Sequence, residues 1–223
     1  MSGARASARA VPVGADEPAS LIAGALLDLI SRIPDSDEQP SPVASDRAHA
    51  LATAAAKRSA LTAGALALPP GPLGWLTLLP EIFALWRIQA QLVADIAAAF
   101  GQSASLSREQ MLYCLFRHAA AQAVRDLAVQ VGGRLIVRRA SLSVLQTIAG
   151  VIGIRISQRL LGKGIARWLP VLGALGVGTY AYFDTLQVAR TATDLFGKQH
   201  SLDTLRRDGA TARPTRLLPR NMR

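Results

Sequence analysis

The sequence predicts an all-α fold in which five to seven helices pack as a single bundle. Three observations favour this class. Apolar residues recur at intervals of three and four, and glycine, proline and capping residues separate the segments in which they recur. The alternation of apolar and polar residues that is typical of strands is absent, apart from a short β-branched run at 135–137. Glycine and proline also interrupt the apolar helices themselves.

The composition excludes several other classes of protein. The 223 residues suffice for one ordinary domain, and half of them are hydrophobic. Only 18% of the residues are charged, which excludes a chain that is disordered throughout. The single cysteine, Cys114, excludes an internal disulfide and a thiolate metal cluster.

The first 42 residues divide into a leader, a short helix and a linker. Residues 1–19 are small, polar and dotted with arginine, and we expect them to be disordered. Within 20–42, Ser20 is the expected N-cap of a short helix and Pro34 follows the residue at which it ends. Apolar residues nearly encircle this helix, so it must dock on the rest of the fold.

The main helical domain is predicted to span 43–197. An alanine-rich helix covers 44–67 and ends at the Pro-Pro-Gly-Pro sequence of 69–72. The next helix has Pro80 in its first turn and is capped by Gly101. Its helical stripe consists of Ile82, Leu85, Trp86, Gln89, Leu92, Val93, Ile96 and Phe100.

A capping box formed by Ser107 and Gln110 begins the next helix, which we expect to continue to about Gln130. Two glycines follow it, and residues 134–139 are predicted to be a loop or the start of a further helix.

Two helices complete the predicted domain. One covers 141–161, and the last runs from Pro170 to about Phe196, with Gly197 as its cap. The polar and basic residues 198–223 are expected to form a flexible tail.

The net charge of +10 is concentrated in the second half of the chain. Residues 106–168 hold ten basic and two acidic side chains, and residues 201–223 hold six and two. Such a field attracts anionic lipid, an acidic partner or nucleic acid. Residues 117–167 contain no Phe, Tyr or Trp on which bases would stack, which disfavours binding of single-stranded nucleic acid.

Four basic residues recur at steps of four and would cover about 120° of one helix face. This stripe lies between two apolar segments, as expected for a site that binds anionic headgroups or an acidic partner. A solvated face of an amphipathic helix is an equally good interpretation. The four residues are Arg155, Arg159, Lys163 and Arg167.

The uncharged segments are too short or too interrupted for straight membrane spans, which need about 20 residues. The longest, 59–80, contains four prolines, while 140–154 and 168–183 contain 15 and 16 residues. They are typical of buried core helices, or of hairpins that enter a membrane and return.

No motif predicts a cofactor or a metal. Gly176, Gly178 and Ala181 match a dinucleotide fingerprint, but no strand precedes them. The three histidines are too far apart in sequence for a zinc site. Cys114 and His118 would share a helix face, either as a thiol–imidazole pair or, more commonly, as a buried cysteine beside a surface histidine.

Charged side chains within the apolar helices are the remaining candidate site residues. Carboxylates in such positions perform acid–base chemistry or, more often, orient helices and mark their ends. Arg190 would pair with Asp194 at helical spacing. The candidates are Glu81, Asp95, Asp184 and Arg190.

Two segments resemble the EcsC family of bacterial helical proteins. Residues 70–101 have a Pro/Gly-broken apolar entry, then a helix that ends in small residues, an aromatic and glycine. Residues 165–196 have a proline, a glycine-rich run, a Tyr/Asp pair and a terminal aromatic. They are also similar to the membrane-associated helical domain of some bacterial GTPases. The resemblance implies a helical bacterial protein, cytoplasmic or at the inner face of the cytoplasmic membrane, and implies no reaction.

Three functions follow from these observations. The favoured one is a non-enzymatic helical protein that associates with an anionic membrane surface or with a membrane complex. The second is a soluble helical enzyme or ligand carrier, with a pocket lined by Glu81, Asp95 or Asp184. The third is a nucleic-acid-binding protein that uses residues 134–167 and the tail.

Overall fold

Helices dominate the part of the chain that the computed structural model describes, so the predicted all-α class is confirmed. The described residues are 16–66, 74–118, 121–124, 128–131, 134–137, 139–162 and 170–211. The helices are α1 (Asp16–Ser31), α2 (Ala44–Leu66), α3 (Gly74–Ala99), α4 (Arg108–Phe116), α5 (Ala121–Val124), α6 (Leu142–Gly162) and α7 (Pro170–Thr211). Two four-residue strands, β1 (Ala128–Val131) and β2 (Arg134–Val137), lie between α5 and α6.

Helices α3 and α7 run parallel to each other. Near the middle of α3, the Gln89 side chain donates to a carboxylate oxygen of Asp184 at 2.7 Å. Just past its end, the buried Gln102 amide donates to the carbonyl of Phe196 at 3.0 Å. Because both contacts advance in the same direction along the two helices, the N-terminal ends of α3 and α7 lie at the same end of the bundle.

Helix α2 runs antiparallel to this pair. The linker before it is fixed to the end of α3, where the Ser41 N–H donates to the Ala99 carbonyl at 2.9 Å. Toward its other end, α2 approaches α7 so closely that a Cβ on Gly178 would lie 2.9 Å from the Ala60 carbonyl oxygen. This contact needs small side chains, and α2 supplies them along its buried face. Its buried residues are Ala44, Ala48, Ala52, Ala55, Ala56, Ser59 and Ala63.

Helices α1 and α6 form a second layer. Ile22, Leu26 and Ile30 recur every four residues along α1 and are fully or almost fully buried. At the closest point of the pair, a Cβ on Gly153 of α6 would lie 2.5 Å from the Ala19 carbonyl oxygen of α1. Only glycine fits that contact without a backbone shift.

Two predicted helix signals are confirmed. Gly101 has a φ of +73° and follows α3, and the Gln102 N–H donates to the Ala97 carbonyl at 2.8 Å, as in a glycine-capped helix end. Ser107 and Gln110 form the expected capping box, in which each side chain accepts from the other residue's backbone N–H.

The helix that begins after Ser107 is shorter than predicted. It was expected to reach Gln130, but α4 ends at Phe116 and residues 128–131 form β1. Strand β1 pairs antiparallel with β2, so residues 134–137 are neither a loop nor a helix start. Two glycines separate the strands in the sequence, and glycine is a poor helix former, which disfavours the long helix that was predicted here.

The first and last helices also extend beyond their predicted bounds. Helix α7 continues through Gly197 to Thr211, so residues 198–211 are helical rather than a flexible tail. A Cβ on Gly197 would lie 3.6 Å from the Phe100 ring, an ordinary van der Waals distance, and the helix does not end at this residue. Helix α1 begins at Asp16, within the predicted leader. The rest of the predicted leader and tail lies outside the described residues.

Glu109 ties α4 to the start of α6. It lies in a helix whose residues from 109 to 116 are all buried, and its carboxylate accepts from the Ala140 N–H at 3.0 Å. Burial opposes its ionisation, but backbone N–H groups, the Ser107 side chain and the charge of Arg139 outweigh burial and lower the pKa of Glu109 from 4.5.

We expect Gly153→Ala to lower the free energy of unfolding by about 1–3 kcal/mol, because the new methyl group meets backbone atoms of α1. Gly150→Ala is the matched control in the same helix. A Cβ on Gly150 has nothing within 4 Å, so this change should stabilise the fold by up to about 1 kcal/mol. Urea unfolding of both variants measures the difference, and equal effects would contradict the close crossing.

We expect the stabilisation by ionised Glu109 to depend on pH. Its lowered folded-state pKa means that the contribution is full above about pH 4.5 and is lost as the pH falls through the folded pKa. Glu109→Gln should therefore lower the free energy of unfolding by about 1 kcal/mol at neutral pH, and the difference should shrink below pH 4.5. Thermal unfolding from pH 3 to 7 tests this, and a pH-independent difference would contradict it.

Candidate functional site

Asp184, on α7, lies at the centre of a polar cluster. One of its carboxylate oxygens contacts His118 Nε2 at 2.7 Å, and the other accepts from Gln89 Nε2 at 2.7 Å. Gln89 also approaches the Thr185 hydroxyl at 3.4 Å. The cluster joins α3, α7 and the residues that follow α4, and both of its ion-pair side chains are about one-fifth exposed.

This geometry favours a structural role for the cluster. Both oxygens of Asp184 are occupied, so the carboxylate orients helices and is not poised to take a proton from a ligand. The thiol–imidazole interpretation also loses support, because His118 is directed at Asp184. Burial strongly raises the pKa of the Cys114 thiol, which disfavours the nucleophilic thiolate.

Asp95 lies in a separate place, at the linker that leads into α2. It accepts from the Ser36 hydroxyl at 2.7 Å and from Gln91 Nε2 at 2.8 Å. Asp95 follows Gln89 by six residues on α3, which is a rise of about 9 Å and a different helix face. The structure therefore does not bring Asp95 and Asp184 together around one cavity.

Asp95 lines an open groove of about 750 Å³ between the linker and α3. The groove also contains Asp35, Asp37 and Glu38, and the last of these is paired with Arg47 by two hydrogen bonds. The hydrogen bond to Glu38 and its charge raise the pKa of Arg47. No group of three metal-ligand side chains is placed to hold a metal among the residues that the structure describes.

The other predicted candidates are scattered. Glu81 lies in α3, but its side chain is outside the described residues. Arg190 is exposed on α7, and within the described ranges its predicted pair with Asp194 is not formed.

Only part of the predicted basic stripe can be placed. Arg155 is half-buried in α6 and is engaged in an interaction. Arg159 belongs to α6, although its side chain is not described. Lys163 and Arg167 lie outside the described residues.

Sequence reasoning missed the uncharged end of the bundle, where α2 ends and α3 and α7 begin. From the level of the Gln89–Asp184 contact, α3 extends about 22 Å to Gly74 and α7 about 21 Å to Pro170. Ala60 of α2 and Gly178 of α7 lie at one level. From that level α2 extends about 9 Å to Leu66, and α7 extends about 12 Å to Pro170. The three helix ends therefore lie within a few ångströms of one level.

None of the three helices carries a charge near this level. The uncharged parts are 59–66 of α2, 74–80 of α3 and 170–183 of α7. We call this region the apolar end. Leu61 and Leu175 are exposed here, at 74% and 65% accessible, and Tyr180 and Phe183, at 59% and 60%, follow on α7 about 15 and 20 Å from Pro170. Exposed apolar side chains on uncharged helix ends are typical of an interaction surface.

Lys163 and Arg167 belong to the seven residues between Gly162, where α6 ends, and Pro170, where α7 begins. These seven residues are outside the described part of the chain, so their charge is located in the sequence only.

Further exposed large apolar side chains lie on α1 and α6, and α6 carries no charge before Arg155. They are Leu21, Leu142, Val144, Val151 and Ile154.

The described part of the chain contains one helical segment that is long and apolar enough to cross a membrane, Ile82–Ala99 of α3. More than half of this segment is buried inside the fold, as in the core helix of a bundle.

No family model, curated protein or solved structure matches the chain, so comparison with known proteins identifies no family.

We expect Asp184→Ala to lower the free energy of unfolding by about 2 kcal/mol, because it leaves the buried Gln89 amide without its charged acceptor. Asp194→Ala removes the same charge from an exposed position of α7 and should change stability by less than about 0.5 kcal/mol. Chemical unfolding measures the free energy of unfolding of each variant. An unchanged stability of Asp184→Ala would contradict the helix-orienting role.

Proposed function

We propose that this protein is a non-enzymatic helical protein that docks its apolar end into a membrane surface. The observation that carries the proposal is the meeting of three uncharged helix ends at one level, with Leu61 and Leu175 exposed there. Exposure of large apolar side chains to water is unfavourable, and burial of each one contributes about 1.5–3 kcal/mol to the free energy of transfer out of water. Insertion into lipid removes them from water without any change in the fold.

The depth of the apolar end supports peripheral docking. Glu81 is the first charged residue of α3, and it lies about 10 Å from the start of that helix. The hydrocarbon core of a bilayer is about 30 Å thick, so this end reaches only into one leaflet. Amphipathic elements that bind at the interface are typically buried to about 5–10 Å.

Charge and aromatic side chains support an anionic membrane. Tyr180 lies on α7 about 15 Å from Pro170 and farther from the helix start than Leu175, where its amphipathic ring favours the headgroup layer. In the sequence, Lys163 and Arg167 precede Pro170, the first residue of α7, by seven and three positions and add positive charge to this part of the chain. Cytoplasmic membrane leaflets carry anionic lipid, which attracts such segments by about 1 kcal/mol per cation.

The resemblance to the EcsC family fits the same proposal. The two segments that carry it, 70–101 and 165–196, supply α3 and the first half of α7, and the starts of these helices form most of the apolar end. We therefore propose that the protein acts at the inner face of the cytoplasmic membrane of a bacterium.

The other two functions have less support. A carboxylate-lined pocket requires Asp95 and Asp184 to converge, and each is bound to its own partners in a different place. Nucleic-acid binding requires a continuous basic surface, and Arg155, the one stripe residue with a described side chain, is half-buried and engaged.

We expect the wild-type protein to float with vesicles that contain phosphatidylglycerol, and we expect Leu61→Glu and Leu175→Glu to lose most of this binding. Each change places a charge at an exposed position of the apolar end, where insertion would have to desolvate it. Val43→Glu is the matched control, because Val43 is 60% exposed at the opposite end of the bundle. Vesicle flotation measures the bound fraction.

Two results would contradict the proposal. One is vesicle binding that neither Leu61→Glu nor Leu175→Glu weakens. The other is binding lost on Ile154→Glu but not on the apolar-end changes, which would assign the contact to the α1–α6 layer. Circular dichroism of each variant confirms that the fold is retained.

A further inference from the structure

Two adjacent cations, Lys57 and Arg58, directly precede the apolar end on α2 and lie about one turn from Leu61. Both side chains are exposed, and they precede the exposed Leu61 by four and three residues. Positions three and four apart lie on the same face of a helix. The solvent face of α2 therefore presents Leu61 within the apolar end, and it presents Lys57 and Arg58 about one turn farther from that end.

These cations have no carboxylate partner among the residues that the structure describes. The ion pairs found there join Asp28 with Arg32 and Glu38 with Arg47, and Asp184 contacts His118. Along α2 itself, the only carboxylate is Asp46, three turns away. Their positive charge is therefore not compensated within the described fold.

Their depth matches the headgroup layer. Along the helix axis, Lys57 lies about 14 Å from Leu66, the last residue of α2. Leu61 lies about 6 Å closer than Lys57 to that end. If the first 10 Å of the bundle enter hydrocarbon, this level falls within the polar layer, which is about 6–7 Å thick on each side. Long basic side chains extend readily to such a layer while their methylene stems remain against apolar surface.

We propose that Lys57 and Arg58 bind the phosphates of anionic phospholipids, and that this site gives the docked protein its preference for anionic membranes. This inference rests on the proposed docking of the apolar end. The ligand is a lipid rather than free phosphate, because Leu61 beside the cations needs an apolar environment that only the acyl region provides. The planar guanidinium of Arg58 suits two parallel hydrogen bonds to one phosphate, while Lys57 acts as a point charge.

The test compares Lys57→Gln/Arg58→Gln with the wild-type chain on vesicles of phosphatidylcholine alone and with 30% phosphatidylglycerol. We expect the double variant to bind the anionic vesicles roughly 25-fold more weakly than the wild type, from the usual gain per surface cation. Binding of the wild type should weaken as salt is raised, and the variant should be less sensitive to salt. Residual binding to the neutral vesicles should be the same for both.

Arg190→Gln/Lys198→Gln is the matched control. It removes two charges from exposed positions of α7 that lie about 30 and 42 Å from Pro170. This variant should bind like the wild type. An equal loss in both double variants would show that only net charge matters and would overturn the site.

Two further outcomes separate this inference from the docking proposal. If Leu61→Glu abolishes binding but the Lys57/Arg58 double variant binds anionic vesicles like the wild type, docking stands and the phosphate site is wrong. If the wild-type chain binds neither kind of vesicle, both are wrong. Release of bound protein by inorganic phosphate, at an ionic strength matched with chloride, would identify a site for free anions and overturn the assignment to lipid.

Discussion

Close contact between helices at small residues is the constraint on which the rest of this structure depends. Gly178 of α7 meets the Ala60 backbone of α2, and Gly153 of α6 meets the Ala19 backbone of α1. These contacts fix which helices are neighbours and at what level they cross. Larger side chains at the glycine positions would separate the helices, because packed interiors leave no space for them.

The fixed crossing levels produce the surface that we assign to membrane docking. Since α2, α3 and α7 are held in register, their uncharged parts come together instead of being distributed over the molecule. The same register places Lys57 and Arg58 one turn behind Leu61 and at about the level of Tyr180. Along the bundle axis, the apolar end is followed by cations and an aromatic ring. A bilayer leaflet has matching layers, since its hydrocarbon interior is followed by the phosphate layer.

Polar groups within the fold are used to hold elements together. Asp184 joins α7 to α3 and to His118, Asp95 joins α3 to the linker, and Glu109 joins α4 to the start of α6. Each carboxylate has donors that satisfy its charge. This arrangement explains how charged residues occur in apolar helices without forming a reactive site.

The sequence by itself determined the helical class, the cap at Gly101 and the capping box at Ser107, because these depend on residues within one or two turns. Only the tertiary structure decided that α7 continues through Gly197, that a hairpin replaces the end of the predicted helix, and that His118 pairs with Asp184, 66 residues away. The apolar end also depends on the tertiary structure, because it is formed by parts of α2, α3 and α7 and these parts are not all neighbours in the sequence. Local patterns specify helices, but which helix ends lie side by side depends on packing between distant residues.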